Sequence, residues 1–346
     1  MRIVVAGAGA IGASIAYHLA LLGAPDVVLA DRKEVASGAT GKAMGGVRQQ
    51  FSTREDVALV RESLPLFREL GDRLFRQVGY LFLATTEEGR ERLRERAELQ
   101  RALGVPVDEV DASRIPGLQT ADVIGAVCCW EDGVAEPAEI TRELVRRAAD
   151  QGVEIREHTD ARSLEHDVLV VACGAASPEL APELPVRPLC RQLVEVGPLD
   201  RVPDDLPMIL EEGTGFHFRR AGDNLRLAMA EPRPRWGSEE WVDEELVEDW
   251  RRRLAHRYPP AAGAPLARAW AGLYDMTPDA RPIIGWIRDG VYAACGFSGH
   301  GFMQSPAVGR ATAQELLGRA PSLGVEAYRL ERFAASGVVF RDELVL

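Results

Sequence analysis

Three glycines near the start of the chain are spaced to bring the backbone against a phosphate group. They stand in the run G-A-G-A-I-G, at Gly7, Gly9 and Gly12. The first allows a tight turn, the second lets the backbone approach a pyrophosphate, and the third allows a helix to pack closely on a strand. Asp31 lies roughly 20 residues further on, where an acidic side chain binds ribose hydroxyls in such sites. The pattern predicts a dinucleotide site, for either NAD or FAD.

A second glycine-rich turn lies near the other end of the chain. The run G-F-S-G-H-G at 296–301 follows an apolar stretch, 291–294, that is typical of a strand. A helix is predicted soon after it, over 306–317, and a helix N-terminus stabilises negative charge. Two such turns suit FAD, which is anionic at its pyrophosphate and, when reduced, at its ring system. NAD needs only the first turn, so the second one favours FAD.

The composition argues against several other kinds of partner. The 346-residue chain has 41 Lys and Arg against 53 Asp and Glu, a formal net charge of −12, and no basic block, so we expect no nucleic-acid binding. Its five cysteines form neither a C-x-x-C motif nor a cluster with histidine, so no disulfide framework and no metal site are predicted. The uncharged run 3–25 is interrupted by glycines and is interpreted as strand, turn and helix, with no membrane span or signal peptide. A reducing, cytoplasmic location is expected.

Hydrophobic patterns indicate the elements that position the two turns. An apolar strand at 2–6, a helix at 11–22 and a second strand at 27–30 form a β-α-β unit around the first turn. Another buried strand followed by small residues lies at 168–172. Between the nucleotide-type segments, strand patterns dominate, with A-G-D-N at 221–224 as a hairpin turn.

These patterns predict two lobes built from interleaved segments. A single hydrophobic core stops growing at roughly 250–300 residues, so a chain of 346 residues is expected to divide. The predicted nucleotide-binding lobe comprises 1–78, 136–186 and 266–346, and the predicted substrate-binding lobe comprises 79–135 and 187–265.

Three parts of the chain carry a more specific signal. They are GAGAIGASIAYHLALLG at 7–23, SGATGKAMGGVRQQFS at 37–52, and GLYDMTPDARPIIG with CGFSGHGFMQSPAVGR at 272–285 and 295–310. Together they resemble the FAD-dependent amine oxidoreductases of the D-amino-acid oxidase, glycine oxidase and sarcosine oxidase type. They look most like the branch of sarcosine oxidase, dimethylglycine dehydrogenase and the β subunits of dye-linked proline dehydrogenases. The resemblance implies an α/β fold: a Rossmann-type FAD-binding lobe, glutathione-reductase-like and of the D-amino-acid oxidase type, with an interleaved α+β substrate lobe on an antiparallel sheet.

The resemblance also implies which residues hold the cofactor. Covalent members of the sarcosine oxidase branch carry a cysteine where this chain has Gly272, so we expect non-covalent FAD. Gln49 and Gln50 are candidates for hydrogen bonds to the flavin edge. The expected FAD contacts are Gly7, Gly9, Ala10, Ile11, Gly12, Asp31, Arg32, Ala39, Thr40, Met44, Gly45, Gly46, Ala161, Ala172, Gly174, Gly299, His300, Gly301 and Phe302.

Four further residues are expected beside the substrate. Arg48 can hold a carboxylate bidentately, although a structural or flavin contact is an alternative. His217 can orient the amine or take its proton, or it is a core histidine. Tyr274 can donate a hydrogen bond to the carboxylate or simply line the pocket. Met303 stands where oxidases of the sarcosine branch carry a lysine that promotes electron transfer to O2, so its neutral side chain favours a dehydrogenase.

These residues imply oxidation of a small amino acid or N-alkyl amino acid, a secondary amine. Hydride would pass from the α or N-methyl carbon to flavin N5, and the resulting imine would hydrolyse. The electrons would then pass to O2 or another acceptor. Two alternatives stay open: a flavin subunit of a multi-component dehydrogenase that passes electrons to a partner chain, and a non-catalytic FAD-binding assembly protein. A partner subunit or a homo-oligomer is compatible with these readings.

Overall fold

Strands and helices alternate at the start of the chain, and antiparallel strands dominate its middle. The computed structural model describes residues 1–334. In this range the strands are β1 (Arg2–Ala6), β2 (Asp26–Ala30), β3 (Gly46–Val47), β4 (Phe75–Arg76), β5 (Tyr80–Ala84), β6 (Val107–Glu109), β7 (Gly125–Cys129), β8 (Gly133–Ala135), β9 (Glu154–Arg156), β10 (Val168–Val171), β11 (Arg187–Val196), β12 (Met208–Glu211), β13 (His217–Ala221), β14 (Asn224–Ala228), β15 (Arg235–Trp236), β16 (Leu266–Met276), β17 (Ile283–Arg288) and β18 (Val291–Cys295). The helices are α1 (Ala10–Leu21), α2 (Arg54–Glu69), α3 (Glu87–Ala102), α4 (Pro137–Asp150), α5 (Glu244–Arg257) and α6 (Gly301–Leu316).

The first sheet has β1 near its centre. The strand order is β17-β18-β10-β1-β2-β9, and every pairing is parallel except that of β17 with β18. Its central strands are continuous apolar runs because both faces of the sheet are buried in hydrophobic clusters. Helix α1 packs on α4 and α6. The approach of α1 to α6 requires Gly309, where an added Cβ would clash with Ser14.

The second sheet is antiparallel apart from the parallel pair of β5 and β12. Its order is β15-β11-β14-β13-β12-β5-β7-β6, and β16 pairs with the other edge of β11. Helix α5 packs against this sheet around an aromatic and aliphatic core that includes Phe216, Phe218, Trp250, Leu254 and Tyr258. The short strands β3, β8 and β4 form a third sheet.

The predicted α/β fold class is confirmed, and one segment of the predicted nucleotide-binding lobe lies in the second sheet. The sequence analysis assigned 266–276 to the nucleotide-binding lobe, whereas β16 pairs with β11 along its length and belongs to the second sheet. This pairing joins distant segments, so the pattern of neither strand alone indicates it. The predicted lobe also included 335–346, which lies outside the described residues. Between β9 and β10 the chain passes through a single 3₁₀ turn at Ala161–Ser163. Within residues 1–334, no helix has the length and apolar character to cross a membrane.

Candidate active site

A cavity of about 500 Å³ lies between the two main sheets and is lined by residues of both. Its size is typical of a site for a cofactor or small molecule. Arg48, His217, Tyr274 and Met303 all line it, and so do all the predicted cofactor residues except Gly12, Gln49 and Gln50. The structure therefore brings together side chains that are far apart in the sequence.

The first glycine turn forms one end of the cavity. Gly7 has a φ of +104°, and a Cβ there would clash with the carbonyl of Ala172 on the neighbouring strand. A Cβ at Gly12 would clash with the carbonyl of Gly7, so this glycine serves the packing of α1 and not the cavity wall. The Oγ1 of Thr40 accepts a hydrogen bond from the backbone N–H of Ala10 at 3.0 Å, which fixes the turn. The shape that these glycines create fits a pyrophosphate at the N-terminus of α1.

Asp31 lies at the end of β2 and lines the same part of the cavity. Its Oδ2 accepts from the backbone N–H of Ala8 and its Oδ1 from that of Lys33, both at 2.8 Å. A carboxylate accepts up to about four hydrogen bonds, so acceptor capacity remains for ribose hydroxyls. Arg32 is paired with Glu179 at 2.7 Å nearby. The glycine cradle and this carboxylate fit the pyrophosphate and adenosine ribose of FAD.

The second glycine turn is held by a carboxylate that the sequence analysis missed. The half-buried Asp275 accepts a hydrogen bond from the backbone N–H of Gly296 at 2.7 Å, and loss of water raises the pKa of this carboxyl. Ser298, in the same turn, has a φ of +52°, and Gly299 has a φ of +96°. A Cβ at Gly299 would clash with the ring of Tyr274, so the turn and this tyrosine are in close contact.

Helix α6 begins at Gly301, earlier than predicted, and includes Pro306. A proline cannot donate a backbone hydrogen bond to the carbonyl four residues before it, here that of Phe302. The Ser305 hydroxyl donates to that carbonyl instead, at 2.9 Å. The helix therefore continues through the proline, and its first turn brings Phe302 and the buried, uncharged Met303 to the cavity wall.

Arg48 is the predicted carboxylate anchor, and it is only 4% exposed. Its guanidinium carbon lies 4.2 Å from the ring centroid of Phe51 and 5.9 Å from that of Tyr80. Its Nη1 donates a hydrogen bond to the carbonyl of Gln50, and no carboxylate of residues 1–334 lies within 4 Å of the guanidinium. Burial lowers the pKa of Arg48 because the charged form loses water. An anion entering the cavity would meet a guanidinium without a charge partner.

Gln49 and Gln50 do not line the cavity, so the prediction that they contact the flavin edge is wrong. Both side-chain amides donate to the carboxylate of Asp132 at 3.1 Å, and the backbone N–H of Gln49 donates to it at 2.9 Å. Asp132 is fully buried, which raises its pKa to about 6. It fixes the segment that carries Arg48, and sequence reasoning missed it because it follows β7, far along the chain.

Arg191 is a further cavity residue that sequence reasoning missed. Its side chain is 7% exposed, and Nη1 and Nη2 have no hydrogen-bond partner among the described residues. Its guanidinium carbon lies 5.9 Å from the ring centroid of Tyr274. The available signal was an arginine next to Gln192 in a strand pattern that is otherwise apolar over 189–194.

The two histidines of the cavity are uncharged at neutral pH. His217 Nδ1 lies 2.7 Å from the carbonyl of Gly215. A carbonyl only accepts, so Nδ1 carries the proton and Nε2 is the acceptor. Burial and the nearby Arg48 lower the pKa of His217 to about 4. The same two causes lower the pKa of His300 to about 3, and its ring packs edge-on against Phe51 with centroids 5.1 Å apart.

Comparison with known proteins shows which family this chain belongs to. A family described as FAD dependent oxidoreductase matches residues 2–315. The chain belongs to this family. It is 28% identical to the FAD-dependent oxidoreductase domain-containing protein 1 of Xenopus laevis over 414 residues, covering 96% of this chain and 82% of that protein. It is 21% identical to human mitochondrial sarcosine dehydrogenase, covering 96% of this chain and 41% of that protein.

Solved structures of the family have the same fold. The L-proline dehydrogenase from P. horikoshii superposes with a TM-score of 0.89 at 26% identity, covering 98% of this chain and 99% of that one. The glycine oxidase from Geobacillus kaustophilus gives a TM-score of 0.85 at 24% identity, covering 96% and 98%. The resemblance drawn from the sequence and the predicted cofactor, FAD, are both confirmed. The protein is an FAD-dependent oxidoreductase of the amino-acid and amine oxidase type.

Proposed function

We propose that this protein oxidises a small amino acid or N-alkyl amino acid at a carbon bonded to nitrogen. The observation that carries the proposal is the cavity itself, which continues from the glycine cradle to the buried, carboxylate-free guanidinium of Arg48. FAD, when bound, supplies the two-electron acceptor. The substrate loses a hydride from carbon and a proton from nitrogen, a C=N bond forms, and water then hydrolyses this imine.

The residues of the chain bind and orient the substrate. Arg48 would hold its carboxylate, since a guanidinium pairs bidentately with that group. The hydroxyl of Tyr274, which lines the same cavity, would donate a further hydrogen bond. Nε2 of His217 would accept from the amine N–H, and because the pKa of this ring is lowered to about 4, it orients the amine without storing its proton. Asp132 would position Arg48 through Gln49 and Gln50.

A second candidate, a dehydrogenase that passes its electrons to another chain, is favoured by one observation. The first turn of α6 presents the uncharged Met303 to the cavity. A cation there would favour electron transfer to O2, because it stabilises the negative charge that O2 gains. Its absence at that position supports an acceptor other than O2, and hence a partner subunit. The five cysteines are free, which supports a reducing, cytoplasmic location.

The test is an anaerobic screen of the holoenzyme with sarcosine, glycine and both enantiomers of alanine and proline. At least one amine should bleach the flavin absorbance, and each turnover should release a carbonyl product. Flavin that stays oxidised with every amino acid and N-alkyl amino acid would refute the proposal and leave a non-catalytic role.

Arg48→Ala should raise the KM for the active substrate about 10- to 100-fold, because a charge-assisted contact is worth about 1.5–3 kcal/mol. The flavin content should not change. Arg96→Ala is the matched control: its guanidinium carbon is 5.7 Å from the ring centroid of Phe82, as is that of Arg48, but it does not line the cavity. An unchanged KM, or loss of FAD, in Arg48→Ala would show that Arg48 is not the carboxylate anchor.

A further inference from the structure

We propose that Arg219 and Arg226 raise the reduction potential of the flavin by acting through a turn of backbone on the cavity wall. The turn comprises Ala43, Met44 and Gly45, all of which line the cavity. The two arginines are positioning residues, because they contact the turn but do not line the cavity themselves. The inference takes FAD to bind in this cavity, and it does not depend on which amine is oxidised.

Two successive carbonyls of the turn accept hydrogen bonds from buried guanidinium groups. Arg226, on β14, donates from Nη1 to the carbonyl of Ala43 at 3.2 Å, and Arg219, on β13, donates from Nε to that of Met44 at 2.5 Å. Arg219 is 2% exposed and Arg226 is 7% exposed. Hydrogen bonds from a charged donor are stronger than those between neutral groups. The second sheet therefore holds the turn by two charge-assisted hydrogen bonds.

The N–H groups of the same two peptide units have no acceptor in the protein. In a planar trans peptide the C=O and N–H bonds point in opposite directions. The N–H of Met44 therefore points away from Arg226, and that of Gly45 points away from Arg219. Among residues 1–334, neither N–H donates a hydrogen bond. A backbone N–H needs a partner, so a group bound in the cavity that these two residues line would accept from them.

The guanidinium groups behind the turn stay charged because carboxylates pair with them. Glu136 lies 2.7 Å from Nη2 of Arg219, and Glu195 accepts from Nε of Arg226 at 2.8 Å. Burial and the nearby Arg226 lower the pKa of Arg219 to about 10, which is still far above neutrality. Arg268 pairs with the same Glu195 but makes no hydrogen bond to the turn. It offers a comparison within one ion cluster.

The turn is also fixed from the side of β8. Gly45 has a φ of +86°, its carbonyl accepts from the backbone N–H of Ala135 at 2.8 Å, and a Cβ on it would clash with the carbonyl of Ala135. The directions of its N–H groups are therefore set before any ligand binds. Donors that need no reorganisation stabilise developing negative charge most effectively.

These contacts favour the reduced flavin. A hydrogen bond accepted by the carbonyl of a peptide unit polarises that unit, and its N–H becomes a stronger donor. Reduction adds negative charge to the flavin ring, and donors of this kind stabilise that charge more than they stabilise the neutral, oxidised ring. Loss of either arginine should then make the flavin harder to reduce.

The test measures the flavin itself in the holoenzyme. In Arg219→Gln and Arg226→Gln, reductive titration against a reference dye should show the equilibrium constant for two-electron reduction falling about 10-fold, which is about 30 mV in midpoint potential. Sulfite adds to N5 of oxidised flavin and leaves negative charge on the ring, so its affinity should also fall about 10-fold. Arg268→Gln is the control, because it removes an arginine from the same cluster without touching the turn. Its potential and sulfite affinity should stay within a factor of about two of the wild type.

Arg226→Lys, which keeps the charge and one donor, should lie between Arg226→Gln and the wild type. Equal losses in Arg268→Gln and Arg226→Gln would overturn the proposal, since the charge of the cluster and not the turn would then act on the flavin. Wild-type potential and sulfite affinity in both glutamine variants would also overturn it, as would loss of FAD from both while Arg268→Gln retains it. Neither measurement uses an amine, so a failure of the proposed function is seen separately.

Discussion

His18 is buried, His217 and His300 are half-buried beside the cavity, and loss of water around the three rings lowers their pKa to about 4, about 4 and about 3. In the unfolded chain each ring titrates near 6.5. Between these values the unfolded chain binds protons that the folded protein does not. The free energy of unfolding therefore falls as the pH drops from about 6.5 towards 4.

We expect His217→Gln to weaken this acid sensitivity. Glutamine can still donate to the carbonyl of Gly215 but does not titrate. Between pH 6.5 and 4 the free energy of unfolding of the variant should fall less steeply than that of the wild type, by about 1 kcal/mol per pH unit. Urea unfolding at several pH values measures the slopes. The exposed His256 provides the control, and His256→Gln should keep the wild-type slope. Equal slopes in His217→Gln and the wild type would contradict the buried, neutral ring.

Burial also shifts the pKa of the charged groups at the substrate end of the cavity. Arg48 and Arg191 are both buried, and desolvation lowers the pKa of each. Even so, the guanidinium group keeps its proton in proteins, so both side chains stay cationic. The carboxyl of Asp132 responds in the opposite direction, with its pKa raised to about 6, and three hydrogen bonds from the two glutamines favour its charged form.

At the scale of elements, the pairing of β11 with β16 decides what faces the cavity. Its register sets Arg191 opposite Gly272 and Leu189 opposite Tyr274. A slip of one residue would move these side chains to the other face of the sheet, because side chains alternate along a strand. The binding surface depends on a register between segments about 80 residues apart in the sequence.

The first turn of α6 controls reactivity towards O2 in our interpretation. We expect the reduced wild-type enzyme to be reoxidised more slowly by O2 than by an artificial acceptor dye. Met303→Lys should speed the reaction with O2, because an ammonium group stabilises the negative charge that O2 gains. Stopped-flow measurement of flavin reoxidation tests both statements.

Met303→Leu is the matched variant, similar in volume and uncharged, and it should leave the O2 rate unchanged. Burial would depress the pKa of the new lysine, so the measurement should extend to low pH, where the ammonium form persists. Equal rates with O2 and dye in the wild type would show that the chain activates O2 without a cation at this position.

At the scale of the whole molecule, the cavity forms where the two main sheets meet. The first sheet contributes the glycine cradle and Asp31, and the second contributes Arg191, His217 and Tyr274. We propose that FAD binds in this cavity, where it would contact both sheets and bind only the folded protein. Its removal should lower the melting temperature, because a ligand at about 1,000 times its Kd adds about 4 kcal/mol to the free energy of unfolding.

We expect this FAD to be held without a covalent bond. Gly272 has no thiol, and Cys173, the cysteine that lines the cavity within residues 1–334, has its pKa raised to about 12 by burial. A protonated thiol is a poor nucleophile. Acid precipitation should therefore release the yellow colour into the supernatant, and colour that stays in the pellet would contradict the prediction.

The sequence by itself was enough to predict the residues at the cofactor end of the cavity. Gly7, Gly9, Gly12 and Asp31 lie within one β-α-β unit, so their spacing along the chain is also their arrangement in space. A backbone cradle for phosphate depends on such local geometry, and glycine spacing reveals it without any tertiary information. The same holds for the second turn at 296–301, although its support by Asp275 was missed.

Only the tertiary structure shows which side chains meet at the substrate end of the cavity. Arg191, Glu231 and Asp132 belong to segments that the sheets bring together across long stretches of chain. Whether a buried arginine is paired depends on where distant carboxylates fall, and that follows from strand register and packing. An arginine in a largely apolar strand pattern therefore indicates burial, but not that its Nη1 and Nη2 have no hydrogen-bond partner within residues 1–334.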